Sequence, residues 1–128
     1  MKKELRKPTE SELEILQTLW QKGPSTVKQV HDDLKKVKEV GYTTTLKLMQ
    51  IMFEKGLLKR EKSGKTHTYT PIVSEEKTKS QLIAKLRDSA FGGSAMKLVM
   101  QALGNQNASK DEIREIKEYL DKIEKGLK

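Results

Sequence analysis

There is no cysteine among the 128 residues. That excludes disulfides, thiolate metal sites and cysteine nucleophiles together, and it fits a reducing compartment. Histidine is scarce: His31 and His67 are the whole complement. Two imidazoles without thiolates make a poor metal signal, and a surface or polyanion-facing place accounts for both. No apolar run approaches the ~20 residues that span a bilayer. No signal-peptide core follows Met1-Lys2-Lys3, so a soluble, cytoplasmic protein without a membrane partner is the expectation. The chain also lacks a glycine-rich phosphate loop, a nucleophile elbow and a His/Glu zinc motif. Its paired acids, Glu75-Glu76 and Asp111-Glu112, fall at helix starts, where the helix dipole accounts for them. No catalytic residue, metal ligand or cofactor is therefore expected, and the chain does not read as an enzyme.

What is abundant is charge. The formal net charge is +8, which favours polyanionic partners. It is unevenly spread. Residues 1–72 hold 15 Lys+Arg against 9 Asp+Glu, and residues 73–128 hold 11 against 9. The basic excess of the first part points to that part as the one that meets a polyanion. Apolar residues make up only 34 % of the chain. A segment of about 70 residues is near the lower limit for folding alone, so the second part gains by burying an apolar face against another chain.

The order of elements is legible from caps and periodicity. Thr9-Glu10-Ser11-Glu12 is a capping box. Leu13, Ile15, Leu16, Leu19 and Trp20 follow at helical spacing until Gly23-Pro24 stops the helix. Ser25 or Thr26 caps a second helix with Val27, Val30, Leu34 and Val37 as its apolar positions, ending before Gly41. Thr43 or Thr44 starts a third, with Leu48, Met49, Met52 and Phe53 inward and Gly56 as its C′ residue. Leu57–Lys62 and Thr66–Thr70 read as two strands about a Ser63-Gly64-Lys65 turn, and Pro71 ends the ladder. Ser74 caps a fourth helix reaching about Ala90, Gly92-Gly93 breaks it, and Ser94 to Leu103 is a short fifth. After the Gly104–Asn107 loop, Ser109-Lys110-Asp111-Glu112 caps a sixth carrying Ile113, Ile116, Leu120 and Ile123.

Two helices joined by a short turn at Gly41, then a basic hairpin, form the pattern of a winged helix-turn-helix. The fold class is thus mainly α with a small β-wing: a winged helix over 1–72 and a three-helix region over 73–128. In such a unit the second helix enters the major groove with its N-terminal residues toward the bases. Here these are Thr43, Thr44 and Thr45, with Lys47 and Gln50 one and two turns on and Lys28 on the preceding helix. A threonine hydroxyl donates or accepts at a base edge, and its methyl can touch thymine. Arg60, Lys62, Ser63, Lys65 and Thr66 of the wing suit phosphate contact, which positions without reading sequence. The competing reading is a winged-helix protein-interaction module whose basic face meets an acidic protein.

The quoted motifs resemble those of the penicillinase repressors, a family that includes β-lactamase, methicillin-resistance and copper-transport repressors. Thr9–Leu16 with Leu19-Trp20 is similar to the family's opening segment. Gly41-Tyr42-Thr43-Thr44 and Glu54-Lys55-Gly56-Leu57-Leu58 resemble its recognition helix and exit, and Tyr69-Thr70-Pro71 its wing end. The resemblance implies a homodimeric repressor on a palindromic double-stranded operator, paired through the C-terminal helices. Leu82, Leu86, Met96, Val99, Leu103, Ile113, Ile116, Leu120 and Ile123 are the apolar positions available for that pairing. Two departures are visible. The cysteine cluster of copper-responsive members is absent. The Asn-Phe pair cut in β-lactam-responsive members has Gln101-Ala102 in its place, so release by proteolysis is not supported, and the sequence does not say whether an upstream sensor or protease acts on the chain.

Overall fold

The computed structural model describes residues 7–105 and 107–127; Met1-Lys2-Lys3 and Gln106 of the Gly104–Asn107 loop lie outside them. The order is α1 (Glu10–Lys22), α2 (Val27–Leu34), α3 (Tyr42–Lys55), β1 (Leu58–Ser63), β2 (Thr66–Pro71), α4 (Glu75–Ala90), α5 (Ala95–Leu103) and α6 (Lys110–Gly126). Two compact units divide within α4, between Leu82 and Ile83.

The first unit is built on three helices and a hairpin. Capping boxes Thr9/Glu12 and Thr26/Gln29 start α1 and α2, each satisfying two amides that the helix leaves without partners. The inward stripes meet in one core of Ile15, Leu16, Leu19, Val27, Val30, Leu34, Met49, Met52, Leu57, Leu58 and Tyr69. Helix α3 ends in a Schellman motif. Gly56, at φ +87°, donates to Phe53 O, and Leu57 donates to Met52 O, with Met52 and Leu57 both buried beneath it. The antiparallel hairpin pairs Leu58 with Pro71 through Ser63 with Thr66. Its two-residue loop, Gly64-Lys65, has Gly64 at φ +65°, which suits the first central position of a type II′ turn.

A third extended segment joins the hairpin. Ser25 N donates to Tyr69 O at 3.1 Å, and Tyr69 N donates to Ser25 O at 2.8 Å. At the far side of the core, Trp20 Nε1 donates to Val73 O at 3.2 Å, which fixes the exit from the wing to α1.

One ion pair is set deep. Glu12 is only 2 % exposed. Its carboxylate accepts from Lys55 Nζ at 3.0 and 2.8 Å and from the Thr9 amide at 2.9 Å. A single glutamate therefore closes the cap of α1 and clamps the last turn of α3 beside it.

The structure departs from the sequence reading in three places. Helix α2 stops at Leu34, and Val37 is 80 % exposed rather than inward. After Leu34 the amides of Lys36 and Val37 turn back to Asp33 O and Leu34 O, a tightened turn that redirects the chain toward α3. Helix α3 begins at Tyr42 with Gly41 as its cap and no side-chain cap hydrogen bond; the threonines follow the cap instead of forming it. Thr45, expected on the DNA side, is fully buried. Its Oγ1 donates to Gly41 O at 3.3 Å and lies 3.5 Å from His31 Nδ1. With Tyr42 as the first helical residue, Thr45 shares the Met49 and Met52 face.

In the second unit, Ser94 caps α5 and a Ser109/Glu112 capping box starts α6. Neither helix has a buried residue. Met96, Val99, Met100, Tyr119, Leu120 and Ile123 are all exposed.

Two stability tests follow from this packing. Glu12→Ala should cost about 2 kcal/mol in urea unfolding, because it removes the carboxylate that closes the Thr9 cap and its ion pair with partly exposed Lys55. Glu12→Gln, which keeps the oxygen facing the Thr9 amide, should cost about half of that. Thr45→Ala should lower stability by about 1–2 kcal/mol, whereas exposed Thr44→Ala should stay within about 0.5 kcal/mol. Equal losses at the two threonines would contradict the buried placement of Thr45.

Candidate nucleic-acid interface

The period of α3 sorts its side chains into two edges. Thr45, Met49 and Met52 hold the core. Thr43, Thr44, Lys47, Gln50 and Ile51 stand exposed on the other side. Because Gly41 offers no side-chain cap, no side chain occupies the first-turn amides, which point out of the helix start where anions are favoured.

The wing stands beside this edge. Alternation along the strands puts Leu58, Arg60 and Lys62 on one face, opposite Pro71, Tyr69 and His67 across the ladder. Lys62, Ser63, Lys65 and Thr66 are exposed near the tip, and Thr66 Oγ1 donates to Ser63 O at 3.2 Å to brace the turn. Arg60 is not at the tip. It lies mid-strand, half-buried, with its guanidinium carbon 4.0 Å from the Phe53 ring centroid. The core contact of Leu58 and Tyr69 holds that face of the ladder against α3, which sequence alternation alone could not place.

Between α2, α3 and the wing runs an open groove whose walls include Thr26, Lys28, Tyr42, Gln50, Arg60 and Lys65. Of the residues expected from sequence, the groove gathers Lys28, Gln50, Arg60, Lys65 and Thr66. Thr43, Thr44 and Lys47 lie along the exposed edge of α3, and Lys62 and Ser63 on the outer wing; none of the five lines the groove. Tyr42 and Thr26 line it without having been expected, and His67, given a surface or polyanion-facing place from sequence, lines it too. Tyr42 stands directly before the threonines at the helix start, which was the available signal. Its ring meets His31 edge-on at 5.7 Å.

The lysines are not equivalent. On the helix-turn-helix, Lys22 and Lys36 pair with Asp33, Lys28 and Lys35 with Asp32, and Lys38 with Glu14. Desolvation raises the Asp32 carboxyl, but the hydrogen bonds and charges of Lys28 and Lys35 outweigh it and hold its pKa below the ordinary value. Asp88, on α4, falls likewise through its hydrogen bond from Arg87, whose own pKa rises. Among the described residues, Lys47, Lys62 and Lys65 make no ion pair. Also among the described residues, no group of three or more His, Cys, Asp or Glu is placed to hold a metal, and no helix is long and apolar enough to cross a membrane.

The chain is similar over most of its length to known repressors. The penicillinase repressor of Staphylococcus aureus is 24 % identical over 115 residues, covering 90 % of this chain and 91 % of the relative. The methicillin resistance regulatory protein MecI of Staphylococcus aureus (strain N315) is 23 % identical over 112 residues, 88 % and 91 % of the two chains. Among solved structures, the DNA-binding domain of the repressor BlaI superposes with a TM-score of 0.52 at 24 % identity, over 58 % of this chain and 90 % of that one. The monomeric form of Bacillus licheniformis BlaI, in complex with the blaP half-operator, gives 0.51 at 24 % identity, over 59 % and 92 %. At that identity the likeness speaks for the winged-helix fold. The family profile matches residues 8–122, nearly the whole length, and on that ground the chain belongs to the penicillinase repressor family.

Proposed function

We propose that the protein is a homodimeric transcriptional repressor of the cytoplasm that occupies a palindromic double-stranded operator through α3 and the β1–β2 wing. The observation that carries this reading is the exposed Thr43/Thr44/Lys47/Gln50 edge of α3 beside a hairpin whose Lys62 and Lys65 make no ion pair among the described residues. In this reading Thr43, Thr44, Lys47 and Gln50 approach base edges, while Lys28, Lys62, Ser63, Lys65 and Thr66 meet phosphate. Thr45 has no part in it, since it is buried. The family supports a repressor, and the relative solved on a half-operator supports DNA as the partner.

The dimer rests on the second unit. Helices α5 and α6 bury no residue within one chain. Leu103 and Ile116 line an open concavity between them, with Tyr119 at its rim. An amphipathic helix takes most of its stability from packing its apolar face, so α6 needs a covering surface. A second copy, related by a two-fold axis, offers the same stripe in return. Leu82, Leu86, Met96, Val99, Leu103, Ile113, Ile116, Leu120 and Ile123 are the residues assigned to that pairing. Two copies would then present their recognition helices to half-sites about one DNA turn apart.

Selection from a random duplex pool, followed by fluorescence anisotropy on the selected duplex, tests the DNA reading. The parent chain should enrich a palindrome. Lys62→Ala or Lys65→Ala should weaken all duplexes and reduce the salt slope by about 0.9 each. Thr44→Ala should lower affinity for the selected duplex more than for random DNA. Enrichment of no sequence, with capture of an acidic protein instead, would favour the interaction-module reading. In sedimentation the parent should run as a dimer that Ile116→Asp or Leu120→Asp dissociates; a monomeric parent would exclude the pairing.

A further inference from the structure

Arg60 differs in setting from the other basic residues of the wing. Lys62 and Lys65 are exposed on flexible stems, whereas Arg60 is half-buried mid-strand. Its guanidinium carbon lies 4.0 Å from the centroid of the Phe53 ring on α3. Its NH1 donates to Tyr69 Oη at 3.5 Å, and Tyr69 is itself 2 % exposed and part of the core. The guanidinium is therefore held by the recognition helix on one side and by the wing on the other. It also lines the groove, with Gln50 and Lys65.

A planar guanidinium can use its face and its edge at once, which an ammonium cannot. Here the face lies on Phe53, and one of five N–H donors goes to Tyr69. The other donors are left for an anion in the groove, where a fork geometry matches two oxygens. The contact sits near the C-terminal end of α3. Phe53 is ten residues beyond Thr43, about 15 Å along the helix axis. Base edges are read from the N-terminal part of such a helix, whereas its far end and the wing face the sugar–phosphate backbone.

We propose that Arg60 is the pre-oriented phosphate anchor of the groove, with Phe53 and Tyr69 as the positioning residues that hold its guanidinium. This rests on the DNA-binding reading above and gives it a fixed point. An exposed lysine loses side-chain freedom when it takes a phosphate. Arg60 has lost most of that freedom on folding, so its contact adds more affinity per charge. The stack has a second effect: it ties the wing to α3, so an anion bound there engages both at once.

The experiment separates charge from orientation. Affinity for the duplex selected by the parent chain is measured over a salt series for Arg60→Lys, Arg60→Ala, Phe53→Leu and Tyr69→Phe. Thermal melting of each variant accompanies the series. Arg60→Ala should reduce the salt slope by about 0.9. Arg60→Lys keeps the charge, so its slope should match the parent while affinity falls roughly three- to tenfold. Phe53→Leu and Tyr69→Phe should behave like Arg60→Lys, the second more weakly. In the Arg60→Ala background, Phe53→Leu should cost nothing further in binding, since Phe53 acts through Arg60. Additive losses would overturn the positioning role even if Phe53→Leu melts early, because a packing defect persists without Arg60. Parent-like affinity of Arg60→Lys would overturn the anchor while leaving the repressor reading intact. A changed selected sequence for Arg60→Lys would reassign Arg60 to a base edge. A parent chain that binds no duplex would overturn the anchor together with the DNA reading beneath it.

Discussion

The setting of the β1–β2 hairpin against the helix-turn-helix depends on the backbone pairing of Ser25 with Tyr69. A two-stranded hairpin of six-residue strands is marginal in water. Here its inner strand gains a third partner through two hydrogen bonds, at the point where Tyr69 enters the core. Because Thr26, the next residue, caps α2, the wing and the helix-turn-helix are set from one short segment. The groove between them is thus a consequence of core packing rather than of loop flexibility.

The recognition helix is held with comparable economy. Its buried edge is short, only Thr45, Met49 and Met52. A Schellman turn closes its C-terminal end, and Lys55 in that last turn reaches the Glu12 carboxylate. The opposite end has a glycine cap and no side chain across it. Charged and backbone constraint is therefore concentrated at the C-terminal end, while Thr45 and Tyr42 hold the first turn against His31. The N-terminal edge stays open, with its orientation determined from behind.

Elements whose information is local were legible in the sequence. The Thr9/Glu12 and Ser109/Glu112 capping boxes, Gly56 after α3, and the two strands about Gly64 all follow from residue types at fixed offsets. What could not be read depends on contacts distant in sequence. Thr45 falls inward because α3 starts at Tyr42, and nothing local distinguishes it from Thr43 or Thr44. Val37 keeps the helical spacing of α2, yet the chain turns before it reaches the core. Arg60 looks like one more wing cation until Phe53, seven residues earlier and on another element, is placed beneath it. The Ser25 pairing has no sequence signal, since any residue can supply a backbone amide. The same limit applies to the second unit, where periodicity identified the apolar stripes but could not say what covers them.

The ion pairs of the helix-turn-helix have a consequence for how the molecule meets its surroundings. Asp32, Asp33 and Glu14 sit among five lysines of α1, α2 and the turn that follows, so much of the formal charge there is cancelled within a few ångströms. Lys47, Lys62 and Lys65 have no such neighbour among the described residues. Within the first unit, positive charge on the hairpin tip and the outer edge of α3 is therefore left uncancelled by any ion pair among the described residues. In the DNA-binding reading proposed above, that uncancelled charge would turn a drifting polyanion toward the hairpin before contact forms, so that the encounter begins with the molecule already oriented.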